Sequence, residues 1–75
     1  MARSIPAAAA WIAQVFGSQS ANNGGVVRRS VADVKQFGGG LKRLKDEVRQ
    51  RGFHLIRTGD QYVILCHKGD VRVIC

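Results

Sequence analysis

Hydrophobic and polar positions divide the chain into two unlike parts. Residues 1–25, MARSIPAAAAWIAQVFGSQSANNGG, hold one charge, Arg3, and an apolar run rich in alanine. Pro6 suits the first position of a helix and Gly17 its end. The run makes about three turns, with Ile5, Ile12 and Val15 or Phe16 on one side. SQSANNGG then reads as a flexible linker. Residues 1–25 are therefore expected as a flexible or helix-forming arm with a Gly/Asn linker, and residues 26–75 as a small α+β domain.

In the second part the period changes repeatedly. VVRR, bounded by Gly24-Gly25, predicts a brief strand at Val26–Arg29. Ser30 precedes Val31-Ala32-Asp33 as a capping residue, and Val31, Val34 and Phe37 recur at helical spacing up to Gly38-Gly39-Gly40. Leu41, Leu44 and Val48 then line one face of a longer helix over Leu41–Arg51, closed by Gly52. Three strands follow at Phe53–Arg57, Tyr62–His67 and Val71–Cys75. Gly59-Asp60 fits a two-residue II′ turn between the first two. The whole reads β-α-α-β-β-β, with one short and one longer amphipathic helix packed on an antiparallel three-stranded meander.

This register sorts the side chains. One sheet face carries Phe53, Leu55, Tyr62, Ile64, Cys66, Val71, Val73 and Cys75, a seat for the longer helix. The other carries His54, Ile56, Val63, Leu65, His67, Arg72 and Ile74, more aliphatic than a solvent-facing sheet needs. The repeated G-D-x-x-V-I, at Gly59–Ile64 and Gly69–Ile74, marks turns rather than a catalytic pair. Asp60 and Asp70 fall at opposite ends of a strand, on the order of 20 Å apart, too far for paired-carboxylate chemistry. Cys66 and Cys75 are out of register for a disulfide. Cys66 reads as a core residue and Cys75 as an exposed thiol. His54 and His67 face away from the cysteines, so no metal cage is expected, and no cofactor is implied.

Charge changes the picture most. Twelve Lys and Arg against five Asp and Glu leave +7 on 75 residues. That balance favours anionic partners, nucleic acid or acidic protein. Lys42, Lys45 and Arg49 recur on the helix face opposite the apolar stripe. With Arg28, Arg29 and Arg72 they are the expected nucleic-acid contacts, through phosphate rather than base. The alternative is a protein-interaction or self-associating module, a homodimer, using Trp11, Ile56, Val63, Leu65 and Ile74 to cover the second sheet face. The two cysteines lack CxxC spacing, and a reducing, cytoplasmic setting is expected. A secretory signal is the minor alternative, with Arg3 before an apolar Pro6–Phe16 and Ser18-Gln19-Ser20 as a cleavage site. The apolar run is too short to span a bilayer.

A third, enzymatic reading comes from a resemblance. The order of helix, Gly-Phe-x-Leu-x-Arg, turn and strand over about residues 41–75 resembles HicA-type toxins, small ribonucleases with a dsRBD-like fold. That family places a histidine just after the first hairpin turn, where this chain has Asp60, Gln61 and Tyr62. His54 and His67 lie elsewhere, without an evident nucleophile or carboxylate partner. A non-enzymatic binding module is the expectation.

Overall fold

The computed structural model describes residues 7–75. The expectations for Arg3, Ile5 and Pro6 lie outside the described residues. The elements are α1 (Ala7–Phe16), α2 (Gln19–Asn22), β1 (Val26–Ser30), α3 (Val31–Gln36), α4 (Leu41–Gln50), β2 (His54–Thr58) and β3 (Gln61–Leu65). The protein is of the α+β class, with helices packed on a three-stranded antiparallel sheet of order β1-β3-β2.

Local chemistry explains most element ends. Ser30 Oγ accepts from the Asp33 N–H at 3.0 Å and starts α3. At the end of α4, the Phe53 N–H donates to the Val48 carbonyl at 3.0 Å and the Gly52 N–H to Arg49 at 3.1 Å. This is a Schellman closure, and Gly52 supplies its left-handed residue at φ +71°. The tight turn between β2 and β3 uses Gly59 at φ +59°, while Asp60 stays at negative φ, as a II′ turn requires. It sets the register Thr58↔Gln61, Ile56↔Val63 and Leu55↔Ile64.

The last expected strand is absent. Val71–Cys75 forms no ladder, and Val73 and Ile74 are each 88% exposed. The reason is topological: a strand has two edges, and those of β3 are taken by β2 and β1. The Cys66 N–H donates to the Gly25 carbonyl and the Val31 N–H to the Asp60 carbonyl, extending the β1–β3 ladder at both ends. The alternation of VRVIC is that of a strand, but no partner remains beside β3. Val71, Val73 and Cys75 therefore do not join the hydrophobic face assigned to them.

The core lies between the sheet and the helices. Val27 and Leu55 flank Ile64, and Ile64, Leu44, Val34 and Val15 are almost fully buried. The N-terminal segment belongs to this core. Ile12, Val15 and Phe16 of α1 are buried in it, and Phe16 tilts against Phe53 with centroids 6.3 Å apart. The Arg51 guanidinium lies 4.3 Å over the Phe16 ring, a cation–π contact. The stretch expected as a linker holds the single turn α2, capped by Ser18, with Ala21 buried. Two expected core residues sit at the margin: Leu41 is 44% and Phe37 46% exposed. Each stands at a helix end, Phe37 capping α3 and Leu41 opening α4. Among the described residues no helix is long and apolar enough to cross a membrane.

Candidate functional site

α4 sorts its charges onto two flanks. On one, Lys42 pairs with Asp46 at 3.8 Å and Arg51 with Glu47 at 3.3 Å. Arg43 lies on this flank, beside the same two acids. On the other flank Lys45 and Arg49 stand over β2, each exposed. Each acid is engaged by a cation four residues away on α4, and neither Asp46 nor Glu47 lines the surface beside β2.

The flank bearing Lys45 and Arg49 borders a solvent-open groove along β2. One depression, of about 310 Å³, is lined by Lys45, Val48, Arg49, Phe53, His54, Leu55, Ile56 and Val71. A second, of about 300 Å³, continues it past Leu41, Arg57 and Tyr62. The floor is apolar, the rim carries Lys45, Arg49 and Arg57, and no carboxylate lines either part. Arg57 is held at the turn end, its Nε donating to the Gly59 carbonyl at 3.1 Å. Three cations around one apolar trough suit an anionic chain with some apolar surface.

The other expected contacts are dispersed. Arg28 lies on the open sheet face beside Val63, and Arg29 lies across β3 from Arg57, with Tyr62 between. A guanidinium nitrogen of Arg29 donates to the Arg28 carbonyl at 2.6 Å. Arg72 sits in the exposed Val71–Cys75 stretch. Of the six, the structure brings only Lys45 and Arg49 together. It adds Arg57, whose nearness depends on the packing of α4 against β2 and left no mark in sequence spacing.

The protein-interaction set is also divided. Ile56, Val63 and Leu65 share the face that no described helix covers, with Val26 beside Leu65. Val63 is itself buried between its strand neighbours, whereas Ile56 and Val26 are 44% and 48% exposed. Trp11 is elsewhere, packed against the α3–α4 connection at Gly38. Ile74 is outside the sheet.

The histidines meet at the top of β2, with ring centroids 5.6 Å apart. His54 Nε2 lies 2.6 Å from the Gly69 carbonyl, and His67 Nδ1 accepts from the Gly69 N–H at 3.1 Å. They brace the turn that follows β3. Cys66 faces the core, where burial raises its thiol pKa against a smaller opposing pull from Arg51. Cys75 is exposed. Among the described residues no cluster of three or more His, Cys, Asp or Glu side chains is placed to hold a metal ion. Comparison with known proteins found no matching family model, no matching curated protein and no matching solved structure.

Proposed function

We propose that this protein is a small, non-enzymatic binding module that takes an anionic partner, nucleic acid or acidic protein, into the groove between α4 and β2. One observation carries the reading: the acids of α4 are kept on its far flank, leaving Lys45, Arg49 and Arg57 around a trough without a carboxylate. A charge excess used only for solubility has no need of such sorting. The direct test is binding of a mixed-sequence oligonucleotide and of polyglutamate at low salt. At least one polyanion binds, and Lys45→Glu with Arg49→Glu abolishes binding while Lys42→Glu changes it little. For duplex DNA, three phosphate contacts correspond to roughly a 40-fold loss between 50 and 200 mM salt. No binding of either polyanion at low salt overturns the proposal.

A second reading, self-association through the open sheet face, is supported by the exposure of Val26 and Ile56 on that face. Three strands of five residues span only about 15 by 17 Å, roughly 250 Å² against the ~800 Å² per partner of a standard interface. Arg28 also stands within it. Sedimentation decides: a monomer at high micromolar concentration removes this reading.

A further inference from the structure

We infer that the occupant of the groove is an extended acidic segment of another protein, which adds a fourth strand to the sheet along the outer edge of β2. The inference rests on the anionic-partner reading and names the partner.

The backbone makes the first part of the case. Cys66 and Asp60 turn their backbone groups toward β1, so the even-numbered residues of β3 bond to β1 and the odd-numbered ones to β2. By the observed register, His54, Ile56 and Thr58 bond to β3. The N–H and C=O groups of Leu55 and Arg57 therefore point outward, and among the described residues nothing bonds to them. The opposite edge is partly blocked, since the outward Arg28 carbonyl already accepts from Arg29. β2 has no proline and no bulge, so its edge can template another strand.

Side chains choose which strand. Residues of an added strand that point toward α4 lie beside Leu55 and Arg57 and below Lys45 and Arg49; those pointing away lie beside the half-exposed Ile56. The favoured sequence therefore alternates acidic and apolar residues over about five positions. The same cations act against the two nearest alternatives. A second copy brings +7 to the edge. The chain's own Val71–Cys75 reaches the rim with Val71 but carries Arg72. Nucleic acid finds no exposed aromatic for stacking within the groove, because Tyr62 is 6% exposed and Phe53 packs on the core, while the half-exposed Phe37 does not line it.

The test uses the full chain, a labelled peptide of about eight alternating Glu and Val residues, and its Lys/Val counterpart. The Glu/Val peptide binds saturably and the Lys/Val peptide does not. In the complex, hydrogen exchange at the Leu55 and Arg57 amides slows at least tenfold. Arg57→Pro, which deletes one outward N–H, loses binding, whereas Arg57→Ala weakens it only several-fold. Should Arg57→Pro fail to fold, the exchange rates in the unaltered chain decide. Peptide binding that leaves Leu55 and Arg57 exchange unchanged overturns the inference. So does protection of those amides that grows with protein concentration alone, which marks a second copy. If the oligonucleotide binds through Lys45 and Arg49 and the peptide does not, strand addition fails while the anionic-partner reading stands; if no polyanion binds, both fall.

Discussion

Replacing Gly38 by alanine tests whether the N-terminal helix is part of the domain. Gly38 is buried, and a methyl group there lies 2.8 and 2.9 Å from two carbons of the Trp11 ring and 3.0 Å from the Val34 carbonyl. Ordinary contact begins near 3.4 Å, so the indole must shift, and it is a rigid group packed against the core. Overpacking of this kind costs about 1–3 kcal/mol. A 75-residue domain has about 4–11 kcal/mol in all, so the loss is a large fraction. Each kcal/mol lowers Tm by about 4–8 °C at this size. The assay is urea and thermal unfolding of Gly38→Ala, Trp11→Ala and the double variant. Trp11→Ala is itself destabilising, but it removes most of the Gly38→Ala penalty, giving a coupling of about 1 kcal/mol or more. If Gly38→Ala costs the same with or without Trp11, or costs nothing, α1 does not dock against the α3–α4 connection.

Other consequences are independent of that contact. Leu44→Ala, at the fully buried centre of α4, costs about 2–5 kcal/mol, measured by urea unfolding; a loss under 1 kcal/mol contradicts the core assignment. Ser30→Ala removes the cap of α3 and costs about 1 kcal/mol, while Ser20→Ala, exposed in α2, costs a few tenths. Thiol labelling in native buffer modifies Cys75 at once and Cys66 only on unfolding, and equal rates refute the placement of Cys66. Because the Cys66 thiol is raised in the fold, the unfolded chain loses that proton first as pH climbs. Cys66 therefore lowers stability above the ordinary thiol range, near pH 8.5–9, and has no effect below it. Cys66→Ala removes that part of the alkaline decline, and unchanged pH dependence contradicts it.

The hairpin was legible because its turn is chemically specified. Gly59-Asp60 leaves two residues in the loop, and pairing then follows by counting to Leu55↔Ile64. α4 was legible from the spacing of Leu44 and Val48 and from Gly52, all local signals. The missing strand at Val71–Cys75 was not, because VRVIC has the alternation of VVRRS and strand patterns do not say which edge is vacant. β1 holds that edge along five residue pairs, and the Cys66 amide donates to the Gly25 carbonyl just beyond them. The docking of α1 was hidden too, since an alanine-rich helix carries little amphipathic signal and Gly38 reveals itself as a seat only beside Trp11. Of the groove, the α4 flank was legible at Lys45 and Arg49. Arg57 required the packed sheet, whereas the Lys42–Asp46 pair is local to α4, four residues apart, and Arg28 falls on the far face by the β1–β3 register.

A residue-resolved NMR titration of the full chain with a short polyanion at low salt locates the binding surface. If the groove between α4 and β2 takes the polyanion, amide shifts concentrate at Lys45–Arg49 and Leu55–Arg57, with Arg28, Arg29 and Arg43 little moved. Shifts centred on Arg28, Arg29 or the Lys42–Asp46 flank, or none at all, contradict binding in that groove.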